Sequence, residues 1–143
     1  QMIRLFKVDV VLIEQYFFRS KFSMGSDLNP ELRGAFKMAC AKCDVDHAMS
    51  IPSQWKKVVA GRMSPTKAEK RKWGKTKAKK IFIVKAIEKK YGLEFPEKIP
   101  NPATGKRINF KHDISDALGI LIAYLKEKQL PFHFSSGIFE FDA

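Results

Sequence analysis

The chain has 143 residues, 45% of them hydrophobic, which is enough for one domain with a core and too few for two domains of ordinary size. This composition excludes a disordered chain, and charged residues interrupt every apolar run before the roughly 18 residues that a membrane span needs. Residues 56–90, the basic segment, hold 14 Lys or Arg and two acids, and they carry the whole net charge of +12. This pattern indicates a surface that binds a polyanion, with a merely soluble basic face as the alternative.

The first predicted elements are the end of a helix, residues 2–6, and a strand, residues 8–14, that ends at Glu14. Because the strand is apolar on both faces, it is typical of a buried strand in a parallel sheet. Residues 15–29 then place aromatic rings beside cations, a combination suited to stacking on bases and pairing with phosphates. The candidates for DNA contact there are Phe17, Phe18, Arg19 and Lys21, with packing of some rings in the core as the alternative.

A helix is predicted from a cap at Asn29, with Pro30 in the first helical position, to about Cys43. Residues 45–51 predict a second strand, and the order strand, helix, strand implies a parallel crossover. Cys40 and Cys43 recur with apolar residues at helical spacing, which predicts that both thiols face a core. A zinc site is the alternative, but it would need a second pair of ligands at similar spacing, which the sequence lacks.

The basic segment follows a predicted short helix at residues 52–59. Residues 60–74 predict a basic loop that is disordered without DNA, because it has little apolar content. Residues 75–91 predict a strong helix that Gly92 closes, with lysines crowding its exposed faces. The candidate DNA-binding residues of this region are Lys56, Lys57, Arg62, Lys70, Arg71, Lys72, Lys75, Lys77 and Lys79.

The last part of the chain predicts a connector and a helix. Residues 93–110 contain three prolines and have no clear secondary-structure pattern. Residues 113–128 predict a helix whose apolar face comprises Ile114, Ala117, Leu118, Leu121, Tyr124 and Leu125. The aromatic residues that follow Leu130 are expected to pack on the domain or on a partner subunit.

Three acids are candidates for a metal site. Asp113 and Asp116 are neighbours on one helix face, and Glu14 would meet them if that helix packed against the sheet. Carboxylates gathered in this way need positive charge, which Mg²⁺ or Mn²⁺ supplies with its preference for oxygen ligands. Two such ions, about 4 Å apart, would activate a water and stabilise the leaving oxygen in phosphodiester cleavage. The alternative is that the two aspartates only cap the helix.

The run Val-Leu-Ile-Glu-Gln-Tyr-Phe at 11–17, followed by His-Asp-Ile-Ser-Asp-Ala-Leu-Gly at 112–119, resembles the RuvC-type Holliday-junction resolvases of the RNase H-like superfamily. The resemblance covers roughly residues 5–126, including Pro-x-x-Trp-Lys at 52–56 and the lysine-rich helix. It implies an α/β fold of RNase H type, with a mixed sheet flanked by helices, in a single nuclease domain over residues 1–143. It also implies a homodimer that nicks four-way DNA junctions with two bound Mg²⁺ or Mn²⁺ ions.

The resemblance also implies roles for individual residues. Glu14, Asp113 and Asp116 would be three of the four catalytic, metal-binding acids, and His112 could assist them. Phe17 falls where the family has an aromatic wedge at the junction, although Phe18 remains the other candidate. Near the scissile strand the resemblance places either Lys56 or Lys57, together with one of Lys75, Lys77 and Lys79.

The chain departs from the family pattern because the first catalytic Asp, in Asp-x-Gly on the first strand, has no counterpart. The family's N-terminal strands are therefore expected to lie upstream of Gln1, and a longer basic loop favours a phage or other divergent member. One alternative function is a non-catalytic DNA-binding or packaging subunit on an RNase H-like remnant. Another is a related nuclease that acts on flaps, forks or concatemers. The expected location is the cytoplasm, at the nucleoid, or the host cytoplasm for a phage protein, without membrane partners.

Overall fold

A computed structural model of the protein describes residues 2–15, 28–95, 99–100, 107–108 and 111–132. The chain divides into two compact units, Gln1–Pro52 and Ser53–Ala143, each with its own secondary-structure elements. No helix within these described ranges combines the length and the apolar character needed to cross a lipid bilayer.

The first unit contains a parallel pair of strands connected through a helix. Its elements are helix α1 (Met2–Leu5), strand β1 (Val10–Glu14), helix α2 (Leu28–Cys43) and strand β2 (Asp46–Ser50). The strands pair in parallel, with Val10 opposite Asp46 and Glu14 opposite Ser50. The predicted strand, helix and parallel strand are therefore confirmed, with strand ends that lie one or two residues inside the expected ones.

Strand β1 is less buried than its sequence predicts. Ile13 is buried, whereas Val10, Val11 and Leu12 are half-buried, so the expectation of burial on both faces is wrong for these three residues. Over the described part of the chain the sheet has two strands. A sheet of that size offers too little neighbouring structure to cover both faces of a strand.

Helix α2 begins earlier than predicted and is packed at one end. It starts at Leu28, so Pro30 is its third residue, a position that tolerates proline because first-turn N–H groups lack intrahelical acceptors. Cys40 is 1% exposed, as predicted, but Leu32 and Phe36 are 55% and 47% exposed. The helix is about 24 Å long, whereas strands of five residues are about 17 Å long. Part of the helix therefore extends beyond the strands, and its predicted core face is not buried along its whole length.

The second unit is built around two long helices that pack on each other. Its elements are helix α3 (Pro52–Ala60), helix α4 (Lys67–Trp73), helix α5 (Lys75–Tyr91), strand β3 (Ile99–Pro100), strand β4 (Arg107–Ile108) and helix α6 (Lys111–Glu127). Helix α5 contacts both α4 and α6. The large side chains that are fully buried in this unit are Trp55, Val59, Ile83, Val84, Ile87 and Ile122.

Helix α4 lies where the sequence predicts a disordered basic loop, and that prediction is wrong for residues 67–73. A capping box starts the helix: the Thr66 hydroxyl accepts a hydrogen bond from the Glu69 N–H, and the Glu69 carboxylate accepts one from the Thr66 N–H. Two first-turn N–H groups are thereby satisfied without any buried side chain. Apolar periodicity therefore does not predict this helix, because its sequence signal is the Thr66-x-x-Glu69 capping box.

The ends of α5 and the connector after it agree with the sequence only in part. Gly92 adopts a left-handed conformation with φ of 67° and closes α5, as predicted. The connector, for which no secondary structure was expected, contains a short antiparallel pair of β3 with β4. Leu93 and Phe95 are 4% and 5% exposed, so the start of the connector is anchored in the core.

Helix α6 buries a different face from the one that its large apolar residues predict. Ser115, Gly119 and Ala123 are buried together with Leu118 and Ile122, whereas Leu121 is 38% exposed. The reason is close packing: a Cβ atom added at Gly119 would lie 2.6 Å from Cζ3 of Trp55. Small residues bring α6 near the indole of α3, and a pattern search that weights large side chains misses that face.

Candidate functional site

Asp113 and Asp116, the acidic pair, lie near the start of α6. The helix begins at Lys111, so Asp113 is its third residue rather than its cap, while the alternative that it stabilises the helix start as a first-turn acid stays open. Three residues apart, the two carboxylates lie on one side of the helix, with Asp113 exposed and Asp116 half-buried. The first turn of a helix also favours negative charge, because its N–H groups point toward the N-terminus.

Glu14 lies at the exposed end of β1, in the first unit, whereas the acidic pair belongs to the second unit. Within the described residues, no group of three or more His, Cys, Asp or Glu side chains is placed to hold a metal ion. The structure therefore brings Asp113 and Asp116 together, and the meeting of Glu14 with them stays a prediction.

His112 precedes the acidic pair and lies against α5. Burial lowers the pKa of His112, the positive charge of Lys80 lowers it further, and the Asp113 carboxylate partly opposes both effects. The ring forms a hydrogen bond with the backbone of Lys80, and its Nδ1 is buried without a hydrogen-bond partner among the described residues. The imidazole is consequently held neutral beside the acidic pair at neutral pH, as a proton acceptor would be.

Two lysines and a glutamate connect the start of α6 to α5. Lys111 Nζ lies 2.9 Å from Glu88 Oε1, and Lys85 Nζ lies 2.7 Å from Glu88 Oε2. Burial of the Glu88 carboxyl raises its pKa, but hydrogen bonds from both lysines and their charges outweigh burial, so the pKa is lowered overall. This bridge positions the first turn of α6, and with it the acidic pair, on α5.

The lysines of α5 divide between two faces. Lys77 and Lys80 share the face that includes Glu88, which contacts α6, because residues three, four and seven apart line one side of a helix. Lys75 and Lys79 lie on another side. The sequence alone left open which of Lys75, Lys77 and Lys79 approaches the acids, and helical geometry favours Lys77. It also adds Lys80, which sequence reasoning missed because its proximity to His112 depends on the packing of α6.

Helix α3 presents one of its two lysines toward the core. The Lys56 ammonium lies 4.9 Å from the centre of the Trp55 ring, the same ring that packs against Gly119 of α6. Lys57 is exposed. Of the two lysines suggested by the sequence, Lys56 is the half-buried one and contacts the Trp55 ring, and which of the two approaches the scissile strand stays a prediction.

Helix α4 supplies an exposed cationic surface. Arg71 and Lys72 are exposed, Lys70 is half-buried, and the helix has no buried residue. Arg62, before the helix, donates from Nη2 to Glu69 Oε1 over 2.6 Å. Burial is the largest single influence on the Glu69 carboxyl and raises its pKa, but the Thr66 hydrogen bonds and the charge and hydrogen bond of Arg62 together lower the pKa overall. Arg62 therefore serves partly to neutralise Glu69, and the exposed cations of α4 remain directed to solvent.

The other candidates from the sequence lie outside the described residues. These are Phe17, Phe18, Arg19 and Lys21, together with the aromatic residues Phe134, Phe139 and Phe141 near the end of the chain. Phe132 is described, and its ring centre lies 6.1 Å from that of Tyr91, so the expected packing of the segment after Leu130 on the domain is confirmed at this residue.

The comparisons with known proteins leave the chain without a counterpart. No protein-family model matches it, and neither a curated protein nor a solved structure matches it significantly.

Proposed function

We propose that the protein is a metal-dependent, structure-specific endonuclease that resolves four-way DNA junctions by paired nicks. In this proposal the fold is of the RNase H type, the active form is a homodimer, and the protein acts in the cytoplasm. Glu14, Asp113 and Asp116 hold the metal ions, and the basic segment holds DNA phosphates.

The observation that carries this proposal is the setting of the acidic pair within the basic unit. The two aspartates share the first two turns of α6, and the positive charges of Lys80 of α5 and of Lys111 act on His112, which directly precedes the pair. A nuclease needs this combination, because cations attract and hold the phosphodiester while carboxylates bind the ions that promote its cleavage.

The acidic pair fits a divalent metal by its chemistry. Mg²⁺ is commonly held by one or two carboxylates, with water and substrate phosphate completing an octahedron. Asp113 is exposed, and Asp116 is half-buried on the same side of the helix. When bound, such ions would supply an activated water and neutralise charge on the leaving oxygen. The residues of the chain would orient the strand, and His112 would assist by its position beside the acidic pair.

Substitution of single acids tests the nuclease. Glu14→Gln and Asp116→Asn each remove one charge with little change in shape, so each is expected to abolish cleavage of four-way junctions in Mg²⁺. A loss of at least about 10²-fold is expected if the carboxylates hold the metal. Binding of the junction, measured by fluorescence anisotropy in Ca²⁺, should remain within about twofold, because phosphate contacts dominate affinity.

Matched substitutions control for charge and folding. Glu31→Gln alters an exposed acid in α2, and Asp44→Asn keeps a residue type that tolerates the left-handed backbone with φ of 54°. Both variants should cleave as the unmodified protein does. Retention of full cleavage by Glu14→Gln or Asp116→Asn would remove the basis for the proposal.

A second candidate is a non-catalytic DNA-binding or packaging subunit. The exposed cations of α4 and α5 favour it, because they suffice for binding without any acid. Tight binding of junctions by the unmodified protein without cleavage in either Mg²⁺ or Mn²⁺ would favour this candidate. If cleavage occurs, a comparison of four-way junctions, flaps and forks at one salt concentration identifies the preferred branch.

A further inference from the structure

A cavity of about 620 Å³ opens between α3, α4 and α5, away from the face of α5 that contacts α6. Cavities that bind small ligands commonly have volumes of about 300–1,000 Å³. Its apolar lining comprises Val59, Ala60, Phe82 and Ala86. None of the three proposed metal-binding acids lines it, whereas its four cations belong to the basic segment that is proposed to hold DNA.

The charged lining of the cavity is cationic. Arg62, Lys85, Lys89 and Lys90 line it together with one acid, Glu69, and Lys85 is paired with Glu88 outside the lining. The Glu69 carboxylate already accepts hydrogen bonds from Thr66 and Arg62. Lys89 is exposed and has no ion pair within the described part of the chain. An anion that entered the cavity would therefore meet positive charge that is only partly neutralised.

Arg62 is the side chain best placed to recognise that anion. Its guanidinium lies 5.8 Å from the centre of the Phe82 ring and contacts Glu69 through Nη2. Its Nε is buried and has no hydrogen-bond partner among the described residues. A buried donor without an acceptor is costly and often marks the place of a bound ion. The planar fork of arginine suits phosphate oxygens in particular.

We propose that this cavity binds a single nucleotide of a DNA strand, with its phosphate at Arg62 and Lys89 and its sugar and base against the apolar lining. A phosphate alone would fill only a small part of the volume, whereas a nucleotide places an apolar surface beside Val59 and Ala86. The proposal rests on the proposed function only in its choice of a deoxynucleotide as the occupant. Its site and its test are independent of metal and of cleavage.

Glu69 then opposes binding of the ligand at Arg62. Glu69 accepts from Nη2 of the guanidinium, so a phosphate at Nε, which has no partner among the described residues, would lie beside a second negative charge that weakens its binding. Glu69→Gln removes this negative charge and still permits the capping box of α4, in which glutamine can replace glutamate. This substitution should therefore strengthen nucleotide binding, the opposite of what an ordinary loss of structure would do.

Nuclear magnetic resonance titration of the full chain tests the proposal. Deoxythymidine 5′-monophosphate is expected to shift the backbone amides of Gly61 and Ala86 in a saturable way. Thymidine and inorganic phosphate should each bind at least about fivefold more weakly, because each supplies part of the contact. Short oligothymidylates with and without a 5′-phosphate are then compared. Tighter binding of the phosphorylated oligonucleotide would identify a strand terminus as the ligand, and equal binding would identify an internal nucleotide.

Variants that each remove one charge test whether the monophosphate binds in this cavity. Lys89→Gln should weaken binding of the monophosphate by at least about fivefold, and Glu69→Gln should strengthen it by about threefold or more. Lys37→Gln, which alters an exposed lysine of α2, should change it by less than about twofold. Equal weakening by Lys37→Gln and Lys89→Gln would overturn the proposal. Unchanged amide resonances of Gly61 and Ala86 would also overturn it, as would inorganic phosphate that binds as tightly as the nucleotide.

The outcomes also separate this proposal from the nuclease. A protein that cleaves four-way junctions while Gly61 and Ala86 stay unshifted contradicts the nucleotide cavity alone. A protein that binds the monophosphate at these residues and cleaves no branched DNA contradicts the nuclease alone.

Discussion

Gly119 is the residue at which α6 comes closest to α3. A Cβ atom at this position would lie 2.6 Å from Cζ3 and 2.9 Å from Cε3 of Trp55, whose side chain is 1% exposed. Neither the buried indole nor the helix backbone can move away cheaply, because both are held by the same core. The Trp55–Gly119 contact therefore sets the distance between α3 and the helix that carries the acidic pair.

Gly119→Ala is expected to destabilise the protein. Overpacking in a close-packed core costs about 1–3 kcal/mol, and the higher helix propensity of alanine returns up to about 1 kcal/mol, so a net loss of about 1–2 kcal/mol is expected. Urea unfolding followed by tryptophan fluorescence measures it, because Trp55 and Trp73 both lie in the second unit.

Gly34→Ala is the matched control in α2. No heavy atom lies within 4 Å of a Cβ added at Gly34, so alanine gains helix propensity there without a clash. This variant should be more stable by about 0.5–1 kcal/mol, measured by far-ultraviolet circular dichroism. Equal effects of the two substitutions would mean that Trp55 does not restrict Gly119.

At the scale of elements, the Glu88 bridge holds α6 to α5. Lys111 comes from α6 and Lys85 from α5, and both contact the same carboxylate, which is 20% exposed. Because the Lys85 side chain is 61% exposed, solvent screens its contribution, and the Lys111 contact is the stronger link between the helices. Loss of this carboxylate should loosen the first turn of α6.

Glu88→Gln is expected to lower the free energy of unfolding by about 0.5–1.5 kcal/mol at neutral pH. The folded pKa of Glu88 lies below its ordinary value of 4.5, so the stabilisation is present above pH 4.5 and is lost as pH falls through the folded pKa. The difference between Glu88→Gln and the unmodified protein should therefore shrink in acid, as measured by urea unfolding across pH. Glu94→Gln, which removes an exposed acid, serves as the control, and a difference that is constant with pH would contradict the assignment.

The sequence was sufficient for the elements whose signals are local. Apolar periodicity and Gly92 define α5, an apolar run defines β1, and β2 was predicted from a short segment of mixed polarity. It was insufficient where packing decides: the buried face of α6 follows from small residues such as Gly119, which a hydrophobicity pattern does not reveal. Helix α4 required its capping box to be recognised within a stretch that composition alone marks as a loop.

The candidate site was predictable to the same degree. The spacing of Asp113 and Asp116 places them on one side of a helix, and the structure confirms this because a single helix contains both. Lys80 could not be predicted as a neighbour of the pair, because its approach to His112 depends on the packing of α6 on α5. The relation of Glu14 to the pair involves two compact units, and for it the sequence supplies a family resemblance but no local rule.

At the scale of the whole molecule, the charge distribution predicts how DNA binding depends on salt. The basic segment carries the net charge of +12, and most of its cations are exposed. If it contacts several phosphates, the logarithm of the association constant falls linearly with the logarithm of salt concentration, with a slope of about −0.9 for each contact. Binding should weaken by about 10³-fold or more from about 50 mM to about 200 mM salt.

Arg71→Gln tests the origin of that slope. Removal of one phosphate contact on α4 should reduce its magnitude by about one, whereas Lys37→Gln on α2 should leave it unchanged. Fluorescence anisotropy with duplex and four-way junction DNA across a salt series supplies the measurement. Equal slopes for both variants would show that net charge, rather than the basic segment, drives association.

Helix α4 has a further consequence for how the protein can change. Because none of its side chains is fully buried, Thr66 and Glu69 at its start contribute much of its stability, and the exposed Arg71 and Lys72 contribute little to folding. Substitutions at those positions can accumulate or be selected with little loss of native protein. A mutational scan of residues 71 and 72 would thus report on recognition with folding held nearly constant, and natural variation there would record changes of binding partner.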